Sequence, residues 1–93
     1  MPQSLSAVCI HLVFSTKNRF PFLTDAALRT KMHHYLAGIS NHLDCPALEV
    51  GGVADHVHLL AYLGRRRSQA DWVKELKRAS TIWAKEWVPD FAW

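Results

Sequence analysis

The sequence predicts an α+β fold: an antiparallel sheet with two helices on one face, in the order βαββα followed by a stub of a fourth strand. Three observations predict it. Apolar residues alternate over residues 7 to 15 and again over 56 to 63, the period of strands with one buried face. Two other stretches carry apolar residues at helical spacing. Glycines and prolines stand at the joins. An order of this kind is a split βαβ, the ferredoxin-like arrangement, in which the first and third strands are neighbours.

From Ala7 to Ser15, Val8, Ile10, Leu12 and Phe14 share one face, and Cys9, His11, Val13 and Ser15 the other. This is the first strand, half buried. Pro21 closes the loop that follows, and Thr24 with Asp25 offers an N-cap. Leu28, Met32, Tyr35, Leu36, Ile39 and Leu43 then form the core stripe of a first helix that ends near Cys45 and Pro46. Leu48 to Val53 reads as a second strand, where Gly51 and Gly52 predict a bulge or a close backbone approach. A turn at Ala54 and Asp55 leads to the third strand, His56 to Leu63. Ser68 caps a second helix, with Trp72, Leu76, Ala79, Trp83 and Trp87 along its core stripe. Pro89 ends it, and Phe91, Ala92 and Trp93 form the stub.

A chain of 93 residues with 49% apolar and 20% charged content fits a single domain, 1–93, with a modest core. No apolar run approaches the roughly 20 residues that span a bilayer, and no basic stretch precedes an apolar one at the N-terminus. The expectation is a soluble, cytoplasmic protein without a membrane partner. Cys9 and Cys45 lack CxxC spacing, so neither a disulfide framework nor a zinc knuckle is indicated. The net charge of +3 says little by itself, but the cations fall in three groups: Lys17 and Arg19; Arg65, Arg66 and Arg67; Lys74, Lys77 and Arg78. Each group is a candidate contact for a polyanion, and each alone also fits a solvated face.

His56-Val57-His58 is the sharpest chemical feature. Alternate positions on a strand aim two imidazoles the same way, as two ligands of one divalent cation. Such a pair also arises by chance, but Val57, Leu59, Ala61 and Leu63 make the other face aliphatic, so the histidines look away from the core. His11, on the less apolar face of the first strand, is either a supporting group for that pair or a surface histidine. Asp55 can orient an imidazole or bind the turn backbone, and turn chemistry is the commoner role. His33, His34 and His42 on the first helix form no ligand pair and read as solvated. Trp72, Trp83 and Trp87 read as core rather than as base-stacking platforms.

Three segments in order, His11-Leu-Val-Phe-Ser-Thr-Lys-Asn-Arg19, Gly51-Gly-Val-Ala-Asp-His-Val-His-Leu-Leu60 and Lys74-Glu-Leu-Lys-Arg-Ala-Ser-Thr-Ile-Trp83, resemble the signatures of the HUH-type single-tyrosine transposases of bacterial insertion sequences, including their repeat-associated relatives. The resemblance implies single-stranded, hairpin-ended DNA as substrate, a divalent metal (Mg or Mn) held by His56 and His58, and a homodimer. The unpaired edge of the first strand points to a dimer as well. It further implies a tyrosine on a later helix that attacks a DNA phosphate, while the metal polarises that phosphate.

The chain stops before the segment that would match this helix, so the expectation is a protein lacking the tyrosine helix, with weak metal binding and no strand cleavage of its own. Tyr35 sits on the predicted core stripe. Tyr62 shares a face with His58 but stands four residues away, roughly 13 Å by strand rise, which makes it only a remote candidate nucleophile. A non-catalytic DNA-binding remnant is the alternative reading. A histidine-triad nucleotide hydrolase is a weaker one, because Leu60 stands where its third histidine belongs.

Overall fold

The computed structural model describes residues 8–93. Ala7, the predicted start of the first strand, lies outside them. The elements are strand β1 (Cys9–Ser15), helix α1 (Ala26–His42), strand β2 (Ala47–Val53), strand β3 (His56–Tyr62) and helix α2 (Gln69–Ala84), with a single 3-10 turn at Lys17–Arg19. The sheet runs β1-β3-β2 with both pairings antiparallel, which makes β3 central and the first and third strands neighbours as expected.

Strand alternation sorts β3 into two faces. Val57, Leu59 and Ala61 are fully buried and form one core with Phe14, Met32, Leu36, Trp72 and Leu76, so both helices lie on that face. His56, His58 and Tyr62 point the other way, onto a face that no helix covers among the described residues. The two helices are held to each other through Ser40, which accepts a hydrogen bond from Trp72 Nε1 at 3.0 Å and donates to the Cys45 carbonyl. Trp72 therefore fills volume and satisfies its N–H together, as a buried indole requires.

The caps account for where the helices begin. Asp25 accepts from the Ala27 and Leu28 N–H groups at 2.8 and 3.1 Å, whereas Thr24 turns back to the Pro21 carbonyl. Ser68 accepts from Asp71 N–H at 3.0 Å. These bonds satisfy donors that the helix itself leaves unpaired.

Several expectations about packing change. Tyr35 is not on the core stripe of α1: it is exposed and stacks on Trp83, centroids 5.0 Å apart and planes at 14°. On α2 the buried line is Trp72, Leu76, Ser80 and Ala84, so Trp83 is only partly buried. Trp87 lies beyond the helix, 55% exposed, with the Lys31 ammonium 4.7 Å from its ring centre. At 3.6 residues per turn each step of four rotates the buried line by about 40°, so by Ser80 and Ala84 it has turned away from the side of the helix that carries Trp83. His33 is not solvated either, because its Nε2 is buried. The irregularity in β2 falls between Ala47 and Glu49, not at the glycines.

The segment after α2 forms no strand. Phe91 is fully buried, Lys17 N–H donates to the Ala92 carbonyl at 3.0 Å, and Trp93 Nε1 donates to Ser80 at 2.8 Å. Cys9 and Cys45 are both free thiols.

Candidate metal and nucleic-acid site

The open face of the sheet is built from alternate residues of three strands. On β3 these are His56, His58, Leu60 and Tyr62, paired across to Ser15, Val13, His11 and Cys9 of β1. His11 thus stands on the same face, diagonal to His58, with ring centroids 5.7 Å apart in an edge-on arrangement at 80°.

On the β2 side, Gly51 is the partner of His58. A Cβ at Gly51 would come within 2.9 Å of His58 Cε1 and 3.1 Å of Nε2, so the missing side chain is what lets that ring lie over β2. Gly52 has a different reason. At φ 150° it adopts a conformation that other residues avoid, and a Cβ there would overlap the His56 carbonyl. The glycine pair is therefore the close backbone approach expected as one of two readings, and its role as a seat for His58 becomes visible only once the register is known.

Asp55 ties the pair to the loop after β1. Its Oδ1 lies 3.0 Å from His56 Nδ1 and its Oδ2 3.4 Å from Arg19 Nε. Its carbonyl accepts from the Thr16 backbone N–H at 2.9 Å, and the Thr16 hydroxyl lies 3.1 Å from it. The Asp55 side chain thus contacts the His56 imidazole, whereas its link to the loop after β1 through Thr16 is made by the Asp55 backbone carbonyl and not by the side chain. The hydrogen bond with His56, helped by the Arg19 cation, holds its carboxyl below the usual range. With Nδ1 engaged, His56 has Nε2 left for a ligand.

The cationic groups are spread more widely. Lys17 and Arg19 sit at the end of the sheet that carries Asp55 and His56. Arg65, Arg66 and Arg67 follow the other end of β3, about 20 Å away by strand rise. Arg67 is paired with Asp71 at 2.9 Å and Arg78 with Glu75 at 2.9 Å. Lys74, Lys77 and Arg78 lie on α2, in the layer across the sheet from the histidines, and the Lys77 ammonium is 5.4 Å from the Phe14 ring centre.

Neither tyrosine approaches the pair. Tyr35 is in the helical layer, and Tyr62 is paired with Cys9 at the far end of β3.

These features coincide with a known family. Residues 4–92 match the sequence profile described as Transposase IS200 like. The chain belongs to this family of transposases. A solved structure agrees: a protein of Deinococcus radiodurans R1, described as a candidate transposase, superimposes with a TM-score of 0.84 at 25% identity, over 96% of this chain and 68% of that one. Among curated proteins there is no match. The IS200-like chain thus shares an α+β fold and a family with a transposase-type structure, and no helix among its described residues is long and apolar enough to cross a membrane.

Proposed function

We propose that this IS200-like chain is an HUH-type DNA-binding unit that takes single-stranded, hairpin-forming DNA across the open face of its sheet and binds a divalent cation, Mg or Mn, through His56 and His58. The observation that carries the reading is the seat of the two imidazoles: alternate residues of the central strand, on the face without helices, with one ring over Gly51 and the other braced by Asp55. Two neutral imidazoles suit a divalent ion that completes its coordination with water or phosphate oxygens. Among the described residues no group of three or more His, Cys, Asp or Glu side chains could hold a metal, and the reading rests on the pair, with weak binding expected when DNA is absent. When bound, such an ion supplies Lewis-acid polarisation of a phosphate.

The chain's own groups then have defined work. Asp55 fixes the His56 tautomer by taking the Nδ1 side, Gly51 leaves the space that His58 needs, and His11 stands beside His58 as a neutral or cationic neighbour of a bound phosphate. Lys17 and Arg19 offer phosphate contacts next to the pair; Arg65, Arg66 and Arg67 offer them at the other end, so a strand held by both would run the length of β3. Among the described residues β1 is an edge strand of the sheet, a pairing surface for a second copy that fits a homodimer.

The strand-transfer nucleophile is neither Tyr35 nor Tyr62. In-line attack needs an oxygen about 3–3.5 Å from phosphorus, whereas Tyr62 stands roughly 13 Å along the strand from His58 and Tyr35 stacks on Trp83 in the helical layer. This favours a second reading in which the chain by itself binds DNA without cutting it. Incubation of the protein with an end-labelled hairpin and manganese separates the two. The expected outcome is a salt-sensitive complex and no denaturant-resistant protein–DNA band. A covalent band abolished by Tyr62→Phe or Tyr35→Phe contradicts this assignment, and failure to bind hairpin DNA even at low salt contradicts the function as a whole.

A further inference from the structure

Phe20 is 58% exposed, yet it is the outer end of a column of aromatic rings rooted in the core. Its ring centre is 4.6 Å from Phe22, Phe22 is 5.3 Å from the buried Phe91, Phe91 is 4.8 Å from Trp93, and Trp93 is 4.6 Å from Phe14. An isolated exposed phenylalanine is ordinary and needs no explanation. One held in place from beneath by packed rings is a different object, because it presents a flat apolar face that does not have to be ordered when something lands on it.

The position of that face relative to the histidine pair is fixed by hydrogen bonds. The buried Thr16 hydroxyl donates to the Phe20 carbonyl at 2.6 Å and lies 3.1 Å from the Asp55 carbonyl, so one side chain clamps the loop to the turn before His56. Leu23 N–H donates to the Ala54 carbonyl at 2.9 Å, and Arg19 reaches the Asp55 carboxylate. Asn18 and Arg19 both have φ 55°, a left-handed turn that residues with side chains adopt at a cost. The loop therefore presents an aromatic ring just after Lys17 and Arg19 in the chain, one hydrogen-bonded link away from the residue that braces His56. An exposed π-face in the same loop as two cations offers the recognition chemistry of an unpaired nucleotide, base on ring and phosphate on cation.

We propose that Phe20 is a stacking platform for one nucleobase of the single-stranded DNA next to the phosphate that lies at the His56 and His58 face. This deepens the DNA-binding reading above and rests on it. Stacking on an aromatic ring tolerates any base, so Phe20 contributes affinity and register and no sequence preference.

The test is equilibrium binding of a fluorescent DNA hairpin with a single-stranded flank, measured by anisotropy without added metal so that the histidine pair's metal binding does not enter. Phe20→Ala is expected to weaken binding roughly tenfold, the size of one lost base-on-ring contact. Phe20→Leu keeps apolar bulk without the π-face and is expected to lose as much, whereas Phe20→Trp binds at least as well as the parent. An abasic residue is then walked through the flank. At one position the parent and Phe20→Ala become equal, because the base that used the ring is gone. If Phe20→Ala binds like the parent, or if its deficit is the same at every abasic position, Phe20 is not a stacking platform while the DNA-binding reading stands. If the parent protein does not bind the hairpin at all, both fall.

Discussion

His33 projects from α1 with Nε2 buried and unpartnered among the described residues. Burial first, and then the neighbouring Arg29 cation with His58 and His34, lowers its pKa below 6.5. The sign follows from linkage: below pH 6.5 the unfolded chain takes up this proton more readily than the folded one, so the stability that neutral His33 allows is present above 6.5 and is lost as the pH falls toward the folded value. Thermal melts about one pH unit on either side of 6.5 are expected to show a smaller acid-induced drop in His33→Gln than in the parent; an equal drop assigns the acid sensitivity elsewhere. Asp55 gives a second residue-scale expectation. Its carbonyl bonds to Thr16 survive in Asp55→Asn, so the fold is kept, while the carboxylate that braces His56 is lost. Loss of such a bracing group commonly lowers metal affinity about 10- to 100-fold, and manganese titration followed by electron paramagnetic resonance reads that change.

Between elements, the register of β2 against β3 decides what each glycine does. Gly51→Ala places a methyl where the His58 ring lies, which the ring can leave by rotating, so the variant folds and loses metal affinity. Gly52→Ala meets backbone rather than a side chain, at a φ that alanine avoids, and lowers the melting temperature by the equivalent of about 1–3 kcal/mol. Opposite results, a destabilised Gly51→Ala and a neutral Gly52→Ala, would contradict this division. The element order was legible in the sequence because β1, β3 and the two helices carry an apolar period and glycines and prolines mark the joins, and the facing of His56 and His58 was legible because Val57 and Leu59 had to face the core. Tyr35, Trp83 and Trp87 were misplaced for one reason. A helical stripe is broad, and residues at its margin are buried only where a neighbour reaches them; Tyr35 and Trp83 instead cover each other at the outer seam of α1 and α2. Arg19–Asp55 was beyond reach, since it depends on which ends of β1 and β3 meet, whereas a place for His11 beside the pair was one of the two readings left open for it.

At the scale of the molecule, one core binds both helices to one sheet face, and Trp72 stands at its centre. Trp72→Ala removes that volume and leaves Ser40 without its indole donor, which is expected to cost about 3–5 kcal/mol, a large part of the stability of a chain this size. Urea denaturation measures it, and a loss below about 1 kcal/mol would show that the helices are held otherwise. No helix covers the opposite sheet face among the described residues, and DNA and metal are proposed to bind there, with His56 and His58 as the cation's ligands. The most direct measurement follows the imidazole proton signals of all six histidines by NMR while manganese is added at substoichiometric levels. The expected result is that His56 and His58 broaden first, His11 beside them next, and His34 and His42 on α1 last, with the selectivity lost in His56→Ala and His58→Ala. Even broadening of all six, or earlier broadening of the α1 histidines, would contradict it.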